Sequence, residues 1–361
     1  MLKTIISEQY ISIVRFLEIL LVILLIPLLY NFVSIDKNAS DTFYIDAKNV
    51  DSIVTSLEDN GYTLTLVDKM MIQAEQIPKS GWYTLDKKAY GRFYFFKNIY
   101  KHPAETMNIV VYAGETHNEL IDRVANDLKL DRKKLYEAYK SLSRFKEGDI
   151  FSGHYRVARK ADEKSVMIYL VNTSKKIFDL FIENTFRNKP NHFELKVLLT
   201  VASIIQKESN SVEEMPLISS VIYNRLSKNM KLQMDSTLNY GPYSHTIVTP
   251  ERIKTDASYY NTYKHKGLPP YPLGTVSIEA LRSAMFPDKS KYLFFMLKPS
   301  GGHKFAETYE AHLTNIRVFR DHQKKKAEAK EREEAKMAEA KKCQTTKVDN
   351  NESNSSLSLS H

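Results

Sequence analysis

The chain has 361 residues, of which 43% are hydrophobic, so it exceeds one average domain and has enough apolar residues for two or three folded cores. Its 52 Lys and Arg residues against 43 Asp and Glu residues give a formal net charge of +9, which favours contact with cell wall, membrane surface or nucleic acid. This composition excludes a wholly disordered chain. The single cysteine, Cys343, also excludes an intrachain disulfide framework and a cysteine-rich zinc site.

The first predicted element is a transmembrane helix at residues 16–35. The run is almost wholly apolar, and about 20 residues suffice to cross a hydrocarbon core. A cleavable signal peptide is the alternative, but bulky residues stand where a cleavage site needs small ones. Lys3 and Arg15 precede the helix and Lys37 follows it, so the positive-inside rule puts residues 1–15 in the cytoplasm. The remainder is then periplasmic, anchored in the inner membrane, which disfavours nucleic acid as a partner.

Residues 36–106 are predicted to form a small α/β unit. The patterns indicate a strand and a helix, then two aromatic strands, at residues 43–47, 50–57, 80–85 and 92–96. Trp82 is the only tryptophan, and we expect it to pack in a core rather than to stack on a sugar.

Residues 107–174 are predicted to form a second α/β subdomain. Its strand, two helices and closing strand are expected near residues 108–112, 119–128, 132–142 and 153–157. This order resembles the LysM-type glycan-binding module. A packing unit that binds no ligand fits the same pattern, so both interpretations stay open.

A catalytic domain is predicted at residues 175–322. Apolar residues at helical spacing predict a helix over residues 193–207, which Glu208 ends. A carboxylate at a helix C-terminus meets the negative end of the dipole, and apolar surroundings would raise its pKa further, which suits a general acid. The alternative is a solvated glutamate beside Lys207.

Polar residues stand in the two segments that follow this helix. A second helix opens near Pro216 and carries Asn224 towards its end. Residues 231–235 alternate like a strand, with Gln233 and Asp235 on one face. Amide and carboxylate groups on one face match the hydroxyls and acetamides of sugars.

These segments together resemble the YceG-like family (MltG), which comprises membrane-anchored endolytic murein transglycosylases. The resemblance rests on motifs in the family's order, namely Ala202-Ser203-Ile204, Lys207-Glu208, Asn224-Arg225-Leu226, Met230-Lys231-Leu232-Gln233, Asp235, Thr237, Gly267-Leu268-Pro269-Pro270 and Gly302-His303. It runs from the helix at residues 16–35 to about Val318. The chain departs from the family pattern at Ser236, where proline is common, and at Gln206, where an acidic residue is usual.

The resemblance implies a lytic transglycosylase with Glu208 as its single acid/base and no cofactor. Such an enzyme cleaves the β-1,4 bond between N-acetylmuramic acid and N-acetylglucosamine without water and leaves 1,6-anhydromuramic ends. The substrate-binding candidates are Asn224, Gln233, Asp235, Thr237 and His303. For the first three, a role as a buried hydrogen-bonding residue is an equal alternative.

The resemblance also implies partners and a place of work. The enzyme would cut nascent peptidoglycan strands and limit their length, in concert with penicillin-binding synthases. We expect no metal, because no histidine pair has a metal-binding helix spacing with a third ligand nearby. A different class of function also remains, namely a noncatalytic peptidoglycan-binding scaffold of the wall-synthesis machinery.

The C-terminal residues 323–361 are predicted to lie outside the enzyme core. Lys, Ala and Glu alternate over residues 324–342, which indicates a solvated helix or a disordered extension, and residues 350–361 are expected to be disordered. The predicted fold class is therefore α+β, with one N-terminal transmembrane helix, a LysM-like subdomain and a mixed α/β catalytic domain.

Overall fold

The structure is a computed structural model that describes residues 2–35, 39–74, 78–85, 91–186 and 188–356. Lys37, which contributes to the predicted topology, lies outside these residues. The helices are α1 (Leu2–Asn31), α2 (Val50–Asp59), α3 (Leu66–Ala74), α4 (Arg92–Asn98), α5 (His117–Leu128), α6 (Arg132–Leu142), α7 (Glu163–Thr185), α8 (His192–Glu208), α9 (Met215–Ser227), α10 (Asp235–Leu238), α11 (Pro250–Thr255), α12 (Ile278–Met285) and α13 (Tyr309–Ser356). The strands are β1 (Thr42–Ile45), β2 (Gly81–Thr84), β3 (Thr106–Val111), β4 (Gly153–Ala158), β5 (Phe294–Leu297) and β6 (His303–Ala306).

These elements confirm a mixed α+β fold. Within the described ranges the strands form three two-stranded antiparallel sheets, which pair β1 with β2, β3 with β4 and β5 with β6. The chain divides into two compact units, each discontinuous in sequence. The first unit comprises Met1–Ser203, Asn239–Thr246 and Pro270–Ile278, and the second comprises Ile204–Leu238, Ile247–Pro269 and Glu279–His361.

Helix α1 contains the predicted apolar span. Tyr10–Asn31 is long and apolar enough to cross a membrane, which is compatible with single-pass anchoring. The helix ends at Asn31, four residues before the predicted boundary. Beyond it, the Arg92 guanidinium donates to the carbonyls of Val33 at 3.0 Å and Ser34 at 2.8 Å, so the chain is held in a nonhelical course.

The antiparallel pair of β1 and β2, together with helix α2, confirms the first strand, the first helix and the strand around Trp82. The indole is 4% exposed and donates its N–H to the Arg156 carbonyl at 2.7 Å, so its prediction as a core residue is confirmed. The sequence patterns missed helix α3.

The predicted strand at residues 92–96 is wrong, because this segment is helix α4. Its buried side chains recur at positions i, i+3, i+4 and i+7, the spacing of one helical face, at Arg92, Phe95, Phe96 and Ile99. The aromatic content suggested a strand, but strand propensity depends on packing context. Here the first position of the helical face is a buried arginine, which an apolar pattern does not register.

Elements β3, α5, α6 and β4 occur in the predicted order and confirm the strand, helix, helix and strand pattern. Thr116 caps α5 and exchanges hydrogen bonds with Glu119 in a capping box, and Asp131 caps α6. Apolar faces of both helices pack on the β3–β4 sheet around Leu120, Val124 and Leu135. Its identity as a LysM-like module stays a prediction.

Helices α8 and α9 confirm the predicted helices, and Pro216 stands in the first turn of α9. The predicted strand at residues 231–235 is wrong. Leu232 and Met234 are buried while Gln233 is exposed, as alternation predicts, but Gln233 has a φ of 51° and no described strand pairs with this segment. The backbone carbonyls of Lys231 and Leu232 in this segment accept hydrogen bonds from Arg225 instead.

Helix α13 differs from the predicted disorder at the C-terminus. It is one helix that continues through residue 350 to Ser356, and residues 357–361 lie outside the described part of the chain. Residues 324–337 are exposed, and Lys330 pairs with Glu334 one turn later at 3.6 Å. The helical alternative for residues 324–342 is therefore the one observed.

Candidate functional site

The candidate site is built around Glu208, the last residue of helix α8. Ile204 and Ile205 are fully buried in the preceding turn and fix this end of the helix. The Glu208 side chain keeps some solvent exposure, but protein surrounds its carboxyl group, and Oε1 accepts the backbone N–H of Ser236 at 3.0 Å. The structure thus holds the carboxyl group in a defined, largely desolvated position.

Burial raises the pKa of Glu208 above its usual value. Contact with Ser236 acts against this rise, the negative charge of Asp235 adds to it, and the nearby His303 lowers the pKa. Burial has the largest effect, so the net pKa is raised. A carboxyl group of this kind keeps its proton to a higher pH than an exposed glutamate, which a general acid requires.

Asp235 and Tyr263 form a pair close to Glu208. The Tyr263 hydroxyl donates to Asp235 Oδ1 at 2.6 Å. Burial raises the pKa of Tyr263, and the charges of Asp235 and Glu208 raise it further, so the phenol stays a hydrogen-bond donor at neutral pH. The tyrosine-rich run at residues 258–263, which Tyr263 ends, suggests surface-loop packing or stacking on sugar rings, and it does not predict this hydrogen bond.

His303 is fixed by two contacts with Glu214, the last residue of the short 3₁₀ turn at Val212–Glu214. The His303 backbone N–H donates to Glu214 Oε1 at 2.5 Å, and its Nδ1 lies 2.9 Å from Oε2. Gly302 has a φ of 68°, and a Cβ there would stand 2.6 Å from Glu214 Oε1, so this turn requires glycine. Burial alone would raise the pKa of Glu214, but His303 and Lys298 bring it below its usual value.

Asn224 and its neighbour Arg225 fasten the end of α9 to the chain before β5. The Asn224 amide donates to the carbonyls of Ser290 and Tyr292, both at 2.9 Å. Arg225 Nε donates to the Leu293 carbonyl at 2.6 Å, and its guanidinium lies 5.1 Å from the Phe294 ring centre. The Asn224 amide hydrogens are therefore engaged within the protein, as its alternative structural role predicts.

Thr237 and Gln233 both contact Thr262. Thr237 is fully buried, and its hydroxyl donates to the Met234 carbonyl at 2.7 Å and lies 2.9 Å from the Thr262 hydroxyl. The Gln233 backbone N–H donates to the Thr262 carbonyl at 3.2 Å, while its side chain stays exposed. Thr237 thus supports the segment from inside, and Gln233 presents an amide at the surface.

The second unit therefore gathers Glu208, Asp235 and His303 with Tyr263 and Glu214, whose contacts the sequence patterns did not predict. No apolar run or turn signal marks Glu214 in the sequence. Its role is to hold His303, which is distant in sequence, so local pattern does not reveal it. Within the described ranges, no three His, Cys, Asp or Glu side chains form a cluster able to hold a metal ion. The arrangement supplies one carboxyl group with a raised pKa beside hydrogen-bonding groups, which is suited to proton transfer to a bound sugar.

Comparisons with known proteins relate this site to one family. A family model described as the YceG-like family matches residues 43–318. The endolytic murein transglycosylase of Bacillus subtilis (strain 168) is 38% identical over 125 residues, which are 34% of this chain and 34% of that protein. The enzyme of the same name from Streptococcus pneumoniae (strain ATCC BAA-255 / R6) is 30% identical over 176 residues, 47% of this chain and 31% of that protein. The matched part thus spans about a third of each relative's length.

A solved structure is similar as well. The crystal structure of a YceG-like protein from Listeria monocytogenes superposes with a TM-score of 0.50 and 25% sequence identity, covering 77% of this chain and 99% of that one. The family match covers most of the chain, from the β1 strand to helix α13. We conclude that this protein belongs to the YceG-like family.

Proposed function

We propose that this chain is a membrane-anchored endolytic lytic transglycosylase. It would cleave the β-1,4 bond between N-acetylmuramic acid and N-acetylglucosamine in nascent peptidoglycan and leave 1,6-anhydromuramic ends. The family membership and the names of the B. subtilis and S. pneumoniae relatives support this proposal. The observation that carries it is the buried carboxyl group of Glu208, whose pKa is raised.

In the first step, protonated Glu208 gives its proton to the oxygen of the scissile bond. The bond from that oxygen to C1 of the muramic sugar breaks, and the acetamide oxygen of the same sugar bonds to C1 and stabilises the positive charge. The released N-acetylglucosamine keeps the proton as its 4-hydroxyl. Glu208 is then a carboxylate, which the Ser236 N–H stabilises.

In the second step, this carboxylate removes the proton of the muramic C6 hydroxyl. The C6 oxygen attacks C1, the bond to the acetamide oxygen breaks, and the 1,6-anhydro ring forms. Glu208 recovers its proton, so no water is consumed. One carboxyl group therefore suffices, whereas most glycosidases use a pair.

The other site residues are proposed to bind or orient the strand. The exposed Gln233 amide and the Asp235 carboxylate suit the acetamide and hydroxyl groups of sugars. His303, which Glu214 holds in place, would contact the strand near Glu208. Asn224 and Thr237, with their hydrogen bonds inside the protein, would shape the segments that carry these groups.

The proposal extends to location and partners. Helix α1 would anchor the chain in the inner membrane with the remainder in the periplasm, and the elements from β3 to β4 would act as the LysM-like subdomain. Cutting uncrosslinked strands there would limit their length in concert with penicillin-binding synthases.

The test uses the full-length chain in detergent with purified uncrosslinked peptidoglycan strands. Products are identified by mass spectrometry for the wild type, for Glu208→Gln and for Glu213→Gln, an exposed glutamate of the same unit. We expect 1,6-anhydromuramic ends from the wild type and Glu213→Gln, and none from Glu208→Gln.

Two outcomes would contradict this function. Reducing ends would indicate a hydrolase, in which water replaces the C6 hydroxyl. Retention of the strands without any cleavage by the wild type would favour the noncatalytic scaffold.

A further inference from the structure

The first unit contains an open cavity of about 750 Å³, separate from the residues considered so far. It is lined by the start of α5, the end of α6, the loop that follows α6, the first turns of α8 and a residue after Pro270. The lining residues are His117, Asn118, Tyr136, Tyr139, Lys140, Ser143, Arg144, Phe145, Lys146, His192, Lys196 and Tyr271. No candidate site residue named above is among them.

The charge of this lining is one-sided. Lys140, Lys146 and Lys196 come from three different segments, and among the described residues no carboxylate oxygen lies within 4.0 Å of their ammonium groups. The lining contains no aspartate or glutamate. Three uncompensated positive charges around one cavity attract an anionic ligand.

The remaining basic groups of the lining are already engaged and give the cavity a fixed wall. Arg144 pairs with the buried Asp149 at 3.1 Å, and His117 Nδ1 lies 2.5 Å from Glu147 Oε1. The His117 ring stacks on Tyr139 with centres 5.1 Å apart and planes 6° apart. These buried contacts hold the wall rigid while the three lysines stay available.

Aromatic faces complete the surface. Tyr136 is 38% exposed and Tyr271 is 40% exposed, and the Lys196 ammonium lies 5.2 Å from the Tyr271 ring centre. Flat amphipathic rings of this kind pack against the apolar faces of sugars and short aliphatic groups. The cavity therefore combines ring contacts with positive charges from three segments.

We propose that this cavity binds the carboxylates of the peptide stems on a peptidoglycan strand, with the tyrosines against the strand's apolar groups. The identity of the polymer rests on the proposed function, whereas the anionic character of the ligand rests on the cavity. Three ammonium groups carried by three different segments can pair with several single carboxylates spread along a chain. A phosphate is more often held by a converging arginine fork or a nest of backbone N–H groups.

The test measures binding of fluorescent uncrosslinked strands to the full-length Glu208→Gln chain in detergent, which excludes cleavage of the probe. The cavity variant carries Lys140→Gln, Lys146→Gln and Lys196→Gln together. The matched control carries Lys133→Gln, Lys134→Gln and Lys160→Gln, which remove the same charge from exposed positions of the same unit. A variant with arginine at the three cavity positions keeps the charge.

We expect the cavity variant to bind about tenfold more weakly, because exposed ion pairs each contribute a modest free energy. The matched control and the arginine variant should bind as the parent does. Strands whose stem carboxylates are amidated should bind the parent as weakly as intact strands bind the cavity variant.

Three results would overturn the proposal. Equal losses in the cavity variant and the matched control would indicate nonspecific attraction to a basic surface. Undiminished binding of amidated strands, or tighter binding of poly(glycerol phosphate), would exclude stem carboxylates as the ligand. Cleavage by the wild type is measured separately, so the proposed function can fail while this site is upheld, and the reverse.

Discussion

At the scale of single residues, two glutamates of the second unit have opposite ionisation tendencies. Burial raises the pKa of Glu208, whereas contact with His303 and Lys298 leaves Glu214 with a lowered pKa. Glu214 is therefore an anion that holds His303, and Glu208 is the group that can carry a proton. The difference follows from partners and not from residue type.

The raised pKa of Glu208 predicts a stability effect. A carboxyl group whose pKa is higher folded than unfolded contributes stability below its unfolded value of 4.5, and this contribution is lost as pH rises through the folded pKa. Glu208→Gln should therefore melt at a higher temperature than the wild type at pH 8, with the difference vanishing towards pH 4. Calorimetry across this range checks it, and a lower melting temperature at pH 8 would contradict it.

Ser236 offers a second prediction about the same carboxyl group. Its N–H donates to Glu208, whereas a proline at this position would have no N–H to donate. Ser236→Pro should raise the pKa of Glu208 further and shift the alkaline limb of the cleavage rate to higher pH.

Ser236→Ala tests the hydroxyl separately, because it keeps the N–H and removes a buried hydroxyl that makes no hydrogen bond among the described residues. Its shift should be smaller than that of Ser236→Pro. Asp235→Asn removes a like charge and should move the limb to lower pH. Identical pH profiles for all three variants would show that Glu208 does not set the alkaline limb.

At the scale of elements, Arg225 holds several segments of the second unit together. It is 7% exposed and donates to the Leu232 and Leu293 carbonyls, both at 2.6 Å, from the end of α9. These bonds replace the strand pairing that residues 231–235 lack. Burial lowers the pKa of Arg225, but arginine remains charged at neutral pH.

Arg225→Met should therefore destabilise the chain by about 2–4 kcal/mol, because buried carbonyls lose their donors. Urea unfolding monitored by far-ultraviolet circular dichroism measures the change in the free energy of unfolding. The control is Arg282→Met, an exposed arginine on α12, which should change stability by less than about 0.5 kcal/mol. Equal effects of the two substitutions would exclude Arg225 as a special support.

The helices and the segment held by Arg225 show how much of the fold could be predicted from the sequence. Helices α5, α6, α8 and α9 have apolar faces at helical spacing, so local pattern was enough to find them. The segment at residues 231–235 has the burial alternation of a strand, yet its conformation depends on Arg225 and Thr262. Local pattern carries no information about such distant partners, and α4 was misassigned because a charged residue begins its buried face.

The candidate site divides in the same way. Glu208, Asp235 and His303 stand in motifs, so a resemblance located them. Tyr263 matters through a hydrogen bond to a residue 28 positions earlier, and only the folded chain reveals that contact. The structural contacts of Asn224 and Thr237 likewise became visible only in three dimensions.

At the scale of the whole molecule, the predicted topology can be tested with the chain's one cysteine. Cys343 belongs to α13, far along the chain from α1. If the chain beyond α1 is periplasmic, a membrane-impermeant maleimide should label Cys343 in cells whose outer membrane alone is permeable. Cys343→Ser is the negative control. Labelling only after lysis would contradict the predicted topology and place Cys343 in the cytoplasm.

The discontinuity of the second unit has a consequence for the order of biosynthesis. Glu208 leaves the ribosome before Ser236, and His303 follows on the order of ten seconds after Glu208 at ordinary elongation rates. Until the rest of the unit that buries it has been made, the Glu208 carboxyl group stays in water and lacks the burial that raises its pKa. A chain interrupted within the second unit would therefore lack the raised pKa on which the proposed proton transfer depends, so only completed molecules would have a general acid.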